Sequence, residues 1–373
     1  MPEARFGIWA PVYGPWGARN HPDEPAQASY RQAREIVVQA DRLGFKVALF
    51  AQHIINPLNN AYDQLETWTA CAAVAEATNQ IEIMAAVKPF FFHPAILSKM
   101  ALGIDAISNG RLSLNLISGW YMPEMQQAGL AVRAHDDRYR YSREWLRIVK
   151  ALIAGEQVDF SGEWFQLKGL QFHPGPFAKP RPIIYLGGES DQARDLVVDE
   201  ADVYLLNGRT IDLIRAAIAE VSARPRRLSA PLRFGMAAFV IARPTQDEAA
   251  REFIKLLQLA EPDDLSDLFR GVDPSAVMFK LFQEGPRALG TNGGTWAGLV
   301  GDYDTVAQRI VDFGDVGIET FLLQFQPFES EMARFAEEIV PRVRELERSR
   351  SLLAGAAAAP VAWNPNPPEF QSE

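Results

Sequence analysis

Short apolar segments recur along this chain with room for one helix between each pair. They occupy residues 5–12, 46–52, 81–88, 111–118, 182–188, 202–208, 233–242 and 319–325. Helical periodicity fills 28–43, 63–78, 94–107, 138–154, 190–200, 210–223, 245–260 and 303–316, and a last helix is expected over 329–347. Strands apolar on both faces, each followed by a helix, make a parallel sheet that is buried on both sides. Eight such units is the number that closes a barrel. The rival is a doubly wound open sheet, whose nucleotide-binding form carries G-x-G-x-x-G after its first strand, and no such run follows "RFGIWAPV". The expected fold is therefore α/β, a TIM (β/α)8 barrel with insertions.

Residues 1–350 read as a single barrel domain and 351–373 as an Ala/Pro-rich tail, extended or poorly ordered. One insertion falls near 156–181: a hairpin turning at Ser161–Gly162, then a Pro-rich connector. The other, 261–300, ends in "GTNGGTWAGLVG". A connection that long in a compact domain is expected to be a lid or binding loop, with the glycines as hinge and Trp296 as cover.

Charge and cysteine usage narrow the function. With 37 Lys and Arg against 47 Asp and Glu, the net charge of -10 argues against nucleic-acid partners and anionic membrane surfaces. The single Cys71 lies in the apolar helical run "TACAAVAEA" and reads as a core residue of a reducing compartment. "MPEARFGIWAPV" lacks the pattern of a secretion signal and no stretch approaches 18 apolar residues, so a cytoplasmic location is expected. The five histidines are scattered, without H-E-x-x-H or paired Cys/His spacing, so no metal site is expected. His93, just before a helix, reads as structural.

In a barrel of this kind chemistry sits at the C-terminal ends of the strands. There the sequence places Gln52 and His53, Lys88, then Asn115, Ser118, Gly119 and Trp120, then "GGES" (187–190) and Asn207. Glycines before a helix with Ser190 as N-cap suit a phosphate, and Arg138 with Tyr139 would complete a clamp. An ordinary capped turn accounts for "GGES" about equally well. A buried Asn satisfied by backbone likewise remains open for Asn115. Lys88 could supply one positive contact there, although a lysine at a loop start reads more simply as solvated.

The runs "RLSLNLISGWYMPEMQQAGL", "HDDRYRYSREWL", "IIYLGGES" and "FVIARPTQDEA" resemble the bacterial-luciferase-like flavin monooxygenases over roughly 5–345. The nearest branch holds the alkanesulfonate, dimethylsulfone and pyrimidine-ring-opening enzymes. The resemblance implies FMN, as FMNH2 from a separate NAD(P)H-dependent flavin reductase, reacting with O2 to oxidise a small molecule. It implies flavin contacts at Gln52, His53, Asn115, Glu124, Arg138, Tyr139 and Ser190, joined by Ser118, Gly188 and Glu189. Asn115 and His53 would be catalytic. Trp9, Trp120, Asn207, Phe239 and Trp296 would face the substrate.

Two departures bear on the substrate. The Arg and His that grip a sulfonate in the alkanesulfonate enzymes match Ala237 and Phe239 here, and a lid arginine matches Asn292. A neutral sulfone, oxidised with cleavage of a carbon–sulfur or other carbon–heteroatom bond, fits such an apolar pocket best. An N-heterocycle-opening flavin monooxygenase and a deazaflavin-dependent hydride-transfer barrel stay open as alternatives. Related barrels pair through helices beside the second and third strands, so a homodimer or homotetramer is expected, with the Ala-rich 63–78 helix a candidate contact.

Overall fold

A computed structural model of the chain describes residues 3–178, 180–263, 268, 271, 273 and 287–358. The strands are β1 (Arg5–Trp9), β2 (Val47–Phe50), β3 (Glu82–Val87), β4 (Leu112–Leu116), β5 (Val158–Ser161), β6 (Gln166–Leu170), β7 (Ile183–Gly187), β8 (Val203–Leu206), β9 (Arg233–Phe239), β10 (Ile241–Arg243), β11 (Val300–Asp302) and β12 (Ile318–Gln324). Eight of them close a barrel in the order β1-β12-β9-β8-β7-β4-β3-β2. All neighbours in it run parallel. This is the TIM (β/α)8 barrel.

The helices form because their apolar positions recur once per turn and their ends are capped. Tyr30–Arg42 buries Ala33, Ile36, Val37 and Ala40, a single stripe, and the Ser29 hydroxyl accepts from the Gln32 N–H at its start. Full burial of Ile36 or Val37 contributes about 1.5–3 kcal/mol each. Thr245 and Glu248 form a capping box on Gln246–Leu259. His93 caps Pro94–Ile107 by accepting from the Ala95 N–H, the structural role expected of it. Cys71 is fully buried in Thr67–Ala77. Ala70 and Ala75 of that helix pack into the chain's own core. At the base of the barrel, buried Tyr185 accepts from Arg5 Nη1 at 3.4 Å, and Arg5 pairs with Glu82 at 2.8 Å.

The expected hairpin is there: β5 and β6 pair antiparallel, and the Gly162 N–H donates to the Phe165 carbonyl at 3.0 Å. Several boundaries differ from expectation. The run 233–242 leaves the barrel after Phe239, because the Ile241 N–H turns to the Leu299 carbonyl and β10 pairs with β11 outside it. The helix expected from 138 begins at His135, with Asp136 and Asp137 favouring its N-terminal dipole. A short helix, Met122–Gln127, has a proline in its first turn and escaped periodicity because it spans under two turns. The last helix, Val340–Ala358, continues into the tail that was expected to be extended, as an alanine-rich segment can. Residues 359–373 and most of 264–286 lie outside the described residues. No described helix is long and apolar enough to cross a membrane.

Candidate active site

Strand register decides which side chains reach the barrel mouth. Trp9, Leu49 and Met84 are neighbours across β1, β2 and β3; Ala86, Asn115 and Tyr185 across β3, β4 and β7; Gly187, Leu205 and Gly235 across β7, β8 and β9. Directly opposed residues share a face, and the side-chain period is two. The lumen set therefore continues to His53, Lys88, Asn207 and Ala237. A cleft of about 1120 Å³, entrance included, opens there.

Gln52, His53, Asn115, Ser118, Trp9 and Trp120 all line this cleft, as does the turn Gly187–Ser190. Trp9 Nε1, Asn115 Oδ1 and Ser118 Oγ are buried and have no hydrogen-bond partner. Leaving such an atom unmet costs about 1–3 kcal/mol. These three, and Arg138 Nε, which is likewise buried and unpartnered, mark polar contacts a ligand at the cleft would complete. Gly119, at φ 83°, lets the wall turn where a side chain would press on Phe90.

The corner expected to hold a phosphate is assembled. Ser190 caps Asp191–Glu200, its hydroxyl accepting from the Ala193 N–H at 3.2 Å. Tyr139 is hydrogen-bonded to Ser190, and burial raises its pKa against the opposing effects of that bond and of Arg138. Gly188 has φ 118°, and a Cβ there would lie 2.7 Å from the Ala193 Cβ. Arg138 lines the same corner but is already engaged: Nη2 pairs with the Asp273 carboxylate and Nη1 donates to the Arg133 carbonyl at 3.0 Å. Asp273, which the sequence offered no reason to single out, lines the cleft beside it.

Behind His53 lies a buried ionic group. Lys88 is 1% exposed, not solvated as expected, and its Nζ pairs with Glu124 Oε1 and stands 3.0 Å from His53 Nδ1. Glu124 is also 1% exposed and does not line the cleft. Its Oε2 accepts from the Ile54 N–H at 3.2 Å and lies 3.2 Å from His53 Nδ1. Glu124 thus backs His53 rather than bordering the space a flavin would fill. Burial would raise its pKa, but the buried Lys88 ammonium paired with it outweighs that and holds the carboxyl well below the usual carboxylate range. Burial, partly offset by Glu124, lowers the pKa of Lys88. Burial and then the Lys88 charge lower that of His53. The signal missed in the sequence was period two: Lys88 follows Ala86 on the lumen face.

The outer wall is polar and internally matched. Asn207 Nδ2 donates to Glu189 Oε1 at 2.8 Å, and Arg209 pairs with the same carboxylate. Asn292 Nδ2 donates to Asn207 Oδ1 at 2.8 Å, and the Gly208 N–H donates to the Asn292 carbonyl at 2.8 Å. Tyr13, His135 and Thr291 also line the cleft and were not anticipated. Phe239 and Trp296 do not line it. Phe239 is fully buried, roofed by Gly290 and Gly294 on one side and Gly17 on the other. Trp296 sits in the 3-10 turn Gly294–Ala297, beyond the residues that reach the wall. Among the described residues no cluster of His, Cys, Asp or Glu could hold a metal ion.

Comparison with known proteins identifies the family. An FMNH(2)-dependent dimethylsulfone monooxygenase of Pseudomonas putida is 30% identical, covering 87% of this chain and 91% of its own. Its counterpart from Pseudomonas fluorescens (strain Pf0-1) is 29% identical over 92% and 95%. The structure of riboflavin lyase (RcaE) with modified FMN and substrate riboflavin superposes with a TM-score of 0.75 at 18% identity, covering 92% of each chain. The luciferase-like monooxygenase family model matches residues 5–320, most of the chain, with the whole barrel up to the start of β12. The chain belongs to the luciferase-like monooxygenase family.

Proposed function

We propose that this chain is the oxygenase of a two-component system, using FMNH2 and O2 to oxidise a small neutral organic molecule, with a sulfone as the favoured substrate class. The observation that carries the substrate class is electrostatic. The one guanidinium lining the described cleft, Arg138, is matched by Asp273, and Glu189 is matched by Arg209. Among the described residues an anionic sulfonate would find no cation there whose charge is not already balanced. Ala237 and the indoles of Trp9 and Trp120 offer apolar surface instead. The dimethylsulfone activity of the relatives supports the same reading.

The residues present fit FMN. Trp9 Nε1, Asn115 Oδ1 and Ser118 Oγ are unmet groups that suit the polar edge of an isoalloxazine, and Gly188, Tyr139 and Ser190 suit its phosphate. Reduced FMN would supply the reaction with O2; the protein would orient it and exclude water, with His53 and Asn115 in the lining of the same cleft. Because Arg138 is shared with Asp273, the flavin is held loosely enough to exchange. That accords with delivery by a separate NAD(P)H-dependent reductase. A cytoplasmic homodimer or homotetramer is the accompanying expectation, which light scattering tests.

The deciding experiment incubates the protein with FMN, a flavin reductase, NADH and 18O2, and follows sulfones, sulfonates and N-heterocycles by mass spectrometry. Substrate-dependent label in the products of a sulfone is the expected result. Label only in heterocycle products would reassign the substrate, and no label in any product would overturn the oxygenase reading.

A further inference from the structure

We propose that Lys88 is a positioning residue for His53: its ammonium holds the imidazole Nδ1 as an acceptor, so the ring carries its proton on Nε2 and presents it to the cleft. The inference rests on the oxygenase reading for its purpose, but not for its geometry.

The three groups have unequal abilities. Lys88 Nζ only donates, the Glu124 carboxylate only accepts, and a neutral imidazole does one of each. One ammonium and one carboxylate cancel. With Lys88 and Glu124 each 1% exposed, a second positive charge on His53 would be desolvated without its own partner. The ring is therefore neutral, and the choice is which nitrogen holds the proton. On Nδ1 the proton would lie toward an ammonium only 3.0 Å away. On Nε2 it leaves Nδ1 as a second acceptor for Lys88, while Glu124 keeps the Lys88 ammonium on Oε1 and the Ile54 N–H on Oε2. The Glu124 Oε2 contact with Nδ1, at 3.2 Å, is the longer of the two. The lowered pKa of His53 agrees with a neutral ring.

The ring is fixed on its other sides by aromatic edges, with Trp120 at 5.3 Å, Tyr121 at 6.2 Å and Tyr13 at 6.4 Å between centroids. Tyr13 and Tyr121 are the other titratable side chains against it. Burial raises the pKa of Tyr13 far above neutrality. Nδ1 faces the buried pair, so the ring edge bordering the cleft carries Nε2. A neutral Nε2–H there can donate to a ligand oxygen on which negative charge develops, the role of a general acid.

The test reads the 15N resonances of the His53 ring in the full-length protein without flavin, from about pH 6 to about pH 8. Wild type should show a bare Nδ1 and a protonated Nε2 throughout. In Lys88→Met the uncancelled Glu124 should draw the proton to Nδ1 and raise the pKa of the ring by about one unit or more. Lys88→Arg should restore the Nε2–H form. In turnover, Lys88→Met should lower kcat roughly 100-fold with KM nearly unchanged. A protonated Nδ1 in the wild type overturns the proposal, whether or not any variant folds. So does a Lys88→Met protein whose ring resonances and titration match wild type. A protein that passes the ring test yet puts no 18O label into any product would refute the oxygenase reading instead.

Discussion

Arg138 and Asp273 are ion-paired in the corner where Gly188, Tyr139 and Ser190 converge. The guanidinium that a phosphate would need is thus already balanced by a carboxylate, and a ligand phosphate has to compete for it. Arg138→Ala should weaken FMN binding about 10- to 100-fold, from the loss of a charged hydrogen bond worth ~1.5–3 kcal/mol, and leave riboflavin nearly unaffected. Asp273→Asn should do the reverse and tighten FMN relative to riboflavin. Flavin fluorescence titrations of the three proteins decide it. Equal affinities of wild type for FMN and riboflavin would remove the phosphate corner from the site.

Gly188 gives a second, independent test of that corner. At φ 118° and with only 2.7 Å between a new Cβ and Ala193, alanine there must displace the start of Asp191–Glu200. Left-handed strain alone costs about 1–3 kcal/mol. Gly188→Ala should lose FMN affinity at least tenfold while far-ultraviolet circular dichroism stays unchanged. Undiminished affinity would mean the turn does not cradle the ligand.

Glu24 ties stability to pH. It follows β1, is 8% exposed, and its carboxyl oxygens accept from Gln326 Nε2 at 2.9 Å and the Phe328 N–H at 3.2 Å. Burial, reinforced by Glu329 and opposed by those two bonds, raises its pKa from 4.5 to about 7. Between those values the folded chain keeps a proton that the unfolded chain has lost. Stability therefore falls as pH rises through that window, by about 3 kcal/mol in all, and is level above it. Glu24→Gln should remove this slope. Urea unfolding of both proteins from pH 4.5 to 8 checks it, and parallel curves would show that Glu24 is ionised in the fold.

The barrel was legible because its eight strands and the long helices between them carry their pattern in the local sequence. Asn115, Ser118 and the 187–190 turn were legible too, since they sit at strand ends where the fold puts its cleft. What escaped depends on contacts distant in sequence. Lys88 reads as solvated until β3 is seen to point it at Glu124, 36 residues on. Phe239 shares the lumen face with Ala237, yet Gly290, some fifty residues later, folds over it and removes it from the wall. Asp273 meets Arg138 from 135 residues away. No pattern within a window of ten residues contains these pairings.

The glycine-rich segment after Leu289 is a packed wall and not a loose hinge in the structure. A Cβ on Gly293 would lie 2.0 Å from the Gly208 carbonyl oxygen, and one on Gly294 1.7 Å from that of Leu289. Thr291 N–H donates to Gln324 Oε1 at 2.8 Å, and Asn292 joins Asn207 across the cleft margin. The residue that closes this side is Asn292, held at φ 52°, where asparagine is tolerated better than most side chains. Trp296, the expected cover, stands outside the wall. Under the oxygenase reading, water reaching the reduced flavin diverts O2 to peroxide. Asn292→Ala removes the bond to Asn207 and opens that margin, so peroxide released per FMNH2 consumed should rise about twofold or more, with FMN affinity within about twofold of wild type. Trp296→Ala should leave the peroxide yield at the wild-type level. Gly293→Ala should lower the unfolding free energy by about 2 kcal/mol or more, since the backbone must move to admit it. Peroxide assays on the first two variants and denaturant unfolding of the third read these outcomes. A rise with Trp296→Ala and none with Asn292→Ala would return the closing role to the indole.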